Sequence, residues 1–358
     1  MKDMPAVRVS IIVACRNEIN HIRALLDSLL AQDMDGIPWE AIIADGMSND
    51  GTASILEEYS GRDSRLRIVS NPARFVSHGL NTAIRAARGE IIIRMDAHTS
   101  YAPNYCKLCV EMLESTRADN VGGPARTRAV GVRARAVAAA YHSRFSTGAK
   151  FHDENHEGWV DTVPYGCWRK TTLLGLGLFD ESLVRNQDDE LNLRLTRAGG
   201  KIWQSRAIVS WYSPRATLAS LFHQYFQYGF WKVAVIRKHR VPGSWRHLVP
   251  AVLVLSNIVL VASTAVTGMV GPTVWYRISV FAWLTLAAAY AGATLAASIL
   301  TARRYGWVTF PYLPAVFATF HFSWGLGFVA GLLLYLSMPS RTLAVQLSHL
   351  SIINKLTR

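Results

Sequence analysis

Apolar and polar residues alternate in regular blocks over the first hundred positions. VRVSIIVAC (7–15) is a continuous β-rich run, the pattern of a strand buried on both faces in a parallel sheet. NEINHIRALLDSLLAQ follows with Ile22, Leu25, Leu26, Leu29 and Leu30 at helical spacing. WEAIIAD (39–45) predicts a second strand, and GMSNDGTASILEEYS a turn and a second helix. LRIVSN then predicts a third strand, HGLNTAIRAAR a third helix, and GEIIIRMDAH a fourth strand with a polar end. Strands alternating with helices in this way predict an α/β fold with a mostly parallel open sheet and flanking helices. Such sheets place their ligands at the carboxyl ends of the strands.

Beyond this region the pattern changes twice. YCKLCVEMLES is helical, and RTRAVGVRARAVAAAYHSRF (126–145) reads as a basic, Ala-rich surface helix. DTVPYGCWRK predicts a short strand and turn, and FDESLVRNQDDELNLRLTRAGGKIWQS a loop, an acidic cluster, a helix and a final turn. ATLASLFHQYFQYGFWKVAVIRKHR (216–240) mixes aromatic residues with bases. That mixture fits an amphipathic helix in the membrane surface, or one packed under a membrane domain. Three apolar segments close the chain, near 248–270, 275–300 and 309–337. Each is long enough to cross a hydrocarbon core of about 30 Å. The expected organisation is an α/β domain over 1–215, interfacial helices over 216–246, about three transmembrane helices within 247–338, and a tail over 339–358. Full spanning by all three puts that tail on the far side; one re-entrant segment would return it to the near side.

Charge sharpens this division. The chain has 358 residues and a formal net charge of +13, but all 25 acidic residues lie at or before Glu190, while 16 of the 38 basic residues follow it. Between Leu248 and Leu336 the only charged residues are Arg277, Arg303 and Arg304. Basic charge beside long apolar runs points to anionic lipid headgroups rather than nucleic acid. Arg237, Lys238, Arg240 and Arg246 before the first segment, with Arg303 and Arg304 between the second and third, put the α/β domain in the cytoplasm by the positive-inside rule. The start MKDMPAVRVS runs straight into a strand, without the apolar stretch of a signal peptide. Four cysteines make no disulfide framework in a chain this long, and Cys106 and Cys109 fall within helical periodicity, which predicts plain packing.

Polar groups gather at the predicted strand ends: Asn17 and Glu18 after the first, Asp45 and Asp50 at and after the second, Asp96 and His98 at the fourth. Asp188, Asp189 and Glu190 form a further cluster. Asp96 and His98 on one tight turn could share a divalent ion such as Mn²⁺ or Mg²⁺ with diphosphate oxygens, or His98 could cap the helix beyond. Mutual repulsion among the three consecutive acids would raise a pKa and suit one of them to proton abstraction; helix N-terminal decoration explains them equally well. The run VACRNE lacks a dinucleotide-binding glycine pattern, and no Gly-Lys-Ser or Gly-Lys-Thr loop appears.

Taken in order, VSIIVACRNE, ADGMSNDGT, MDAH and NQDDELNLRL resemble the motifs of the inverting family 2 glycosyltransferases, over roughly residues 7–240. The layout is most similar to the ExoA-like branch of membrane-anchored exopolysaccharide enzymes. The resemblance implies a GT-A fold and transfer of a sugar, with glucose expected, from a UDP-sugar to a polyprenyl-linked saccharide at the lipid bilayer of the bacterial inner membrane. It assigns Asn17, Glu18, Asp45 and Asp96 to the donor, Asp45 facing uracil. Asp96 and His98 fall where the family's Asp-x-Asp binds metal, and Asp188 where its base lies, with Gln187 in place of a glutamate. Gln224–Tyr228 stands at the Gln-x-x-Arg-Trp of processive members, with Gln227 for Arg and Tyr228 for Trp. Gln224, Trp231 and Trp168 are the expected acceptor-side residues; Trp168, with Tyr165, would stack on a sugar ring or pack in the core. Rival readings are a processive polysaccharide synthase and a transporter or scaffold with an α/β domain, the last disfavoured because the apolar segments hold no acid.

Overall fold

The computed structural model describes residues 6–146, 152–215 and 217–337. The expected tail over 339–358 lies outside the described residues. The chain divides into two compact units, Met1–Arg128 with Ala149–Ser213, and Ala129–Gly148 with Pro214–Arg358. The boundary expected near 215 is therefore interrupted by one segment, 129–148, that belongs with the C-terminal helices.

The first unit opens with β1 (Val9–Cys15), α1 (Ile22–Leu30), β2 (Trp39–Asp45), α2 (Thr52–Arg62), β3 (Leu66–Ser70), α3 (Val76–Ala86) and β4 (Ile91–Arg94). It continues through β5 (Thr99–Tyr101), α4 (Tyr105–Thr116), β6 (Asn120–Gly122) and β7 (Arg126–Thr127). α5 (Val132–Tyr141) belongs to the other unit. β8 (Gly158–Val160), β9 (Cys167–Arg169), α6 (Lys170–Gly175), α7 (Gln187–Arg197), β10 (Ile202–Gln204) and β11 (Ser210–Tyr212) complete the first unit. The main sheet runs β3-β2-β1-β4-β9-β6-β10-β8. Pairings β1–β2, β1–β4, β2–β3 and β6–β10 are parallel; those made by β9 and β8 are antiparallel. A second small sheet has the order β5-β11-β7.

Strand residues sort by their period of two. Val9, Ile11 and Val13 face α1, α2 and α4 with Leu26, Leu29, Leu56 and Val110, all fully or almost fully buried. Ile12 and Ile42 face the other side with Leu80, Ile84, Leu191 and Leu195 from α3 and α7. All four cysteines are free and buried, so Cys106 and Cys109 are packing residues, as expected. With β1, β2 and β4 parallel and in register, their carboxyl ends reach a common edge of the sheet.

The second unit holds α5, α8 (Leu218–His239), α9 (Val249–Val270), α10 (Thr273–Tyr305) and α11 (Leu313–Ser337). Three helical segments, Trp245–Val270, Thr273–Tyr305 and Trp307–Leu336, are long and apolar enough to cross a membrane. α5 is not the surface helix its charge suggested. Its Ala136, Val137, Ala139 and Ala140 are buried with Leu221 and Tyr225 of α8 and Phe317 and Phe320 of α11, which leaves its arginines to the remaining face. Nor does α8 show one apolar face: Tyr225, Gln227, Phe230, Trp231, Lys232 and Val235 are all buried, around the whole helix. It packs as an internal helix. A Cβ on Gly229 would lie 2.1 Å from the Trp324 carbonyl oxygen, and one on Gly327 would lie 2.0 Å from that of Phe226, so these glycines let α8 and α11 meet backbone to backbone. Between spans, the His321 ring meets the Tyr290 hydroxyl at 3.1 Å and the Phe145 carbonyl at 2.9 Å.

Candidate active site

Two loops at the carboxyl edge of the sheet are sewn together by their own polar groups. After β1, Asn17 takes a left-handed conformation (φ 55°), a state asparagine tolerates better than most residues. Its N–H donates to the Ser48 hydroxyl and its Oδ1 accepts from the Asn49 N–H, both at 2.9 Å. The Glu18 N–H donates to Thr52 Oγ1 at 2.8 Å, and the Ile19 N–H to Asp50 at 3.1 Å. Asp45, ending β2, accepts from the Ser48 hydroxyl at 2.6 Å and from its N–H. Asn17, Glu18, Asp45 and Asp50 thus form one connected edge. Its charge is felt locally: the Cys15 thiol is pushed up to about 12, by burial first and then by Asp45, Glu18 and Asp50.

Beside this edge lies an arginine that the sequence pattern gave no reason to single out. Arg94 ends β4 with only 3% of its surface exposed. Its guanidinium pairs with Asp188, from the first turn of α7, and lies 3.4 Å from Asp96. Burial opposes its charge, but the two carboxylates outweigh that penalty and hold it protonated. Asp188 keeps 38% of its side-chain surface open yet sits deep among protein atoms. Desolvation therefore raises its carboxyl above the ordinary aspartate range; Asp96 pushes the same way and Arg94 opposes. Repulsion within the acidic cluster is not the cause, because the cluster diverges. Glu190 is fully buried and takes a paired contact from Arg194, at 2.8 and 2.9 Å, while Arg194 also donates to the carbonyls of Leu176 and Leu178. Asp96 is fixed in turn by its N–H, which donates to the Tyr101 hydroxyl at 2.6 Å.

His98 meets the Glu18 edge. Its Nε2 is 3.0 Å from Glu18 Oε1, and its ring meets His21 edge-on at 4.9 Å. Among the described residues, Glu18, His21 and His98 are the group able to hold a metal ion, their ligand atoms lying within 4.8 Å of one another. One carboxylate and two imidazoles are a fitting donor set for a divalent transition ion. This group differs from the expected pairing of Asp96 with His98: Asp96 lies 3.4 Å from the Arg94 guanidinium, and His21 joins Glu18 and His98. The signal for His21 was its place one turn beyond Glu18 in NEINH.

The acceptor-side residues are corrected more sharply. Trp168 is 2% exposed on β9, edge-on to Phe179, with its ring in the core rather than presented to a sugar. Trp231 is 1% exposed and likewise cannot offer a stacking face. Lys232, next to Trp231 on α8, is buried, whereas Arg237 and Lys238 are exposed. Gln224 is half-buried and donates to the Tyr228 hydroxyl at 3.0 Å, one turn along α8.

With this geometry in place, comparison with known proteins is decisive. The model of the glycosyl transferase family 2 matches residues 10–169, which spans β1 to β9. Succinoglycan biosynthesis protein ExoA of Rhizobium meliloti is 34% identical over 243 residues, 67% of this chain and 73% of that protein. The chain belongs to glycosyl transferase family 2. The dolichyl N-acetyl-α-D-glucosaminyl phosphate 3-β-D-2,3-diacetamido-2,3-dideoxy-β-D-glucuronosyltransferase of Methanococcus voltae is 27% identical over 238 residues, covering 64% of this chain and 74% of its own length. Among solved structures, the mannosyltransferase PcManGT of Pyrobaculum calidifontis, in complex with GDP-Man and Mn²⁺, has a TM-score of 0.56 at 21% identity, over 91% of this chain and 87% of that one. That likeness establishes the fold. The chain is therefore a family 2 glycosyltransferase with a GT-A fold, a cluster able to hold a metal, and three helices fit to span a membrane.

Proposed function

We propose that this enzyme transfers a sugar, glucose in the first instance, from a UDP-sugar to a polyprenyl-linked saccharide during bacterial exopolysaccharide assembly. The α/β unit works in the cytoplasm and the apolar helices anchor it in the inner membrane. The similarity to ExoA supports the pathway, and the basic residues Arg237, Lys238, Arg240, Arg303 and Arg304 support the orientation. The observation that carries the chemistry is Arg94, buried between Asp188 and Asp96.

In this reading Asp188 accepts the proton of the acceptor hydroxyl as that oxygen attacks the anomeric carbon from the face opposite the nucleotide, inverting it. A raised carboxyl pKa suits the task, since a base is most useful when its pKa approaches the working pH. Arg94 orients Asp188 and keeps Asp96 beside it. Asn17, Glu18, Asp45 and Asp96 border the donor nucleotide. A divalent ion, Mn²⁺ or Mg²⁺, supplies neutralising charge for the departing diphosphate, and Glu18, His21 and His98 are the residues that would hold it.

The test uses purified full-length protein with a panel of UDP-sugars, Mn²⁺ and a membrane lipid extract. Transfer to lipid is expected, and Asp188→Asn should lower kcat by about 10²–10⁴-fold. Wild-type turnover in that variant would overturn the base assignment. Donor hydrolysis without a lipid-linked product would overturn the acceptor, and ladders of many added sugars would favour a polymerising synthase.

A further inference from the structure

Three hydroxyl side chains gather around Asp96 without being used in the chemistry above. The Asp96 N–H donates to the Tyr101 hydroxyl at 2.6 Å, and the Thr99 N–H to the Asp96 carbonyl at 3.2 Å. The Thr99 hydroxyl pairs with that of Tyr165 at 2.6 Å, and the Tyr101 and Tyr165 rings meet edge-on at 5.9 Å. Two paired hydroxyls use one of their protons between them, and the other points elsewhere, rotating to suit a partner. Thr99 and Tyr101 are buried, whereas Tyr165 is half-buried, so Tyr165 is the member a ligand reaches.

The backbone also marks Tyr165 out. Its φ of 62° is left-handed, an uncommon state for a bulky side chain, and the surroundings must offset that cost. They do so through the next residue. Gly166 has φ 103°, a Cβ on it would lie 2.4 Å from the Trp168 ring, and its carbonyl accepts from the Arg94 N–H at 3.1 Å. The turn is thus fastened beside Arg94 by contacts that make no use of the Tyr165 hydroxyl. Packing against Tyr101 asks only for a ring, which phenylalanine would supply. Burial pushes the phenol pKa up, Asp96 adds to that and Arg94 opposes it, so the hydroxyl keeps its proton within the field of both groups.

We propose that Tyr165, steered by Thr99, is a specificity-determining residue whose hydroxyl donates to a hydroxyl oxygen of the sugar being transferred. The inference rests on the sugar-transfer reading, in which Asp96 borders the donor and Asp188 takes the acceptor proton. Arg94 contacts both carboxylates, so the sugar passing between diphosphate and acceptor lies against the arginine to which the Tyr165 turn is bonded. A site built to bond a substrate hydroxyl rejects the analogue that lacks it, so this one phenol can decide which sugar is moved.

The test is calorimetric binding of UDP, UDP-glucose and its monodeoxy analogues to purified full-length protein in detergent with Mn²⁺. One deoxy analogue should bind wild type at least about tenfold more weakly than UDP-glucose. Tyr165→Phe should lose that discrimination while binding UDP as wild type does. Thr99→Val should weaken the same discrimination, and Thr99→Ser should restore it. Thermal unfolding checks the fold of each variant, and the Thr99 pair decides the matter where Tyr165→Phe unfolds. Discrimination absent in wild type, or intact in folded Tyr165→Phe or Thr99→Val, would overturn this role alone. So would an equal loss for UDP and UDP-glucose, or an effect confined to the acceptor KM in transfer assays. A wild type that binds none of these nucleotides would overturn the sugar-transfer reading itself.

Discussion

The two units solve the problem of polar groups in opposite ways. In the α/β unit, buried charge is abundant and paired. Glu40, 3% exposed, accepts from the Ser10 hydroxyl, the Arg67 guanidinium and the Arg88 N–H; Glu190 is held by Arg194, and Arg94 by two aspartates. The helical unit has no acidic residue, and its hydroxyls turn inward on their own helices: Thr264 donates to the Leu260 carbonyl, Ser298 to Thr294 and Thr319 to Ala315. Its large side chains point outward, with Val259 62% and Phe281 73% exposed. An apolar exterior suits hydrocarbon, where helices gain little from burying leucine and gain more from close approach at small residues. The difference teaches where each unit is fragile: one depends on charge partners, the other on clearance.

Removing Arg94 should break the first arrangement with the largest effect. In Arg94→Met, Asp96 and Asp188 stay close without their shared cation, and kcat should fall about 10²-fold or more, since positioning errors near one ångström cost that much. The sign of the accompanying pH effect is fixed by the base. Asp188 must be ionised, so activity falls as pH falls through its pKa, which burial already raises. Arg94 opposes that rise, and losing it moves the acid limb of kcat to still higher pH. A rate–pH profile of the variant with an unmoved limb would rule out Arg94 as the group that positions and charges Asp188.

How much of this was legible in the sequence differs between the same two units. The βαβ order, the polar strand ends and the three spans followed from periodicity, because strands and helices impose it regardless of partners. Arg94 was not legible: in GEIIIRMDAH it closes an apolar strand, and its partner Asp188 is 94 residues away along the chain. His21 stands one turn beyond Glu18, but its meeting with His98, 77 residues further on, is a contact that only the fold makes. Trp168 carried an open choice between stacking and packing, and its burial on β9 favours packing. α5 misled through its arginines: Arg133 and Arg135 alternate with the small residues, and alanine gives a weak signal of which face is buried.

The second arrangement breaks by adding one methyl group. Gly327→Ala would bring a Cβ to 2.0 Å from the Phe226 carbonyl oxygen, forcing α8 and α11 apart. A loss of about 1–3 kcal/mol is expected from such overpacking, read as a lower unfolding temperature in detergent. Gly292 on α10 is the internal control, because a Cβ there meets nothing within 4 Å. Gly292→Ala should be neutral or stabilising by up to about 1 kcal/mol, through helix propensity. Equal losses at both positions would mean that glycine flexibility, and not clearance between α8 and α11, matters in this unit.

Lys232 is where the comparison can be sharpened most finely, because it is buried where the other described lysine and arginines of the helical unit are exposed. It is 4% exposed on α8, and burial lowers its ammonium pKa to about 7 from an ordinary value above 10. The unfolded chain holds that proton up to its higher pKa, so between about pH 7 and the ordinary lysine range the unfolded state binds more protons than the folded one. Stability should therefore rise with pH across that window. Lys232→Met removes the titrating group, so the variant should lose that rise, and its stability relative to wild type should fall between pH 6 and pH 9. Unfolding temperatures of the two proteins at pH 6 and pH 9 decide the matter. A difference that stays constant between the two pH values would show that Lys232 keeps its ordinary pKa in the folded chain, and that the helical unit holds this charge without a desolvation cost.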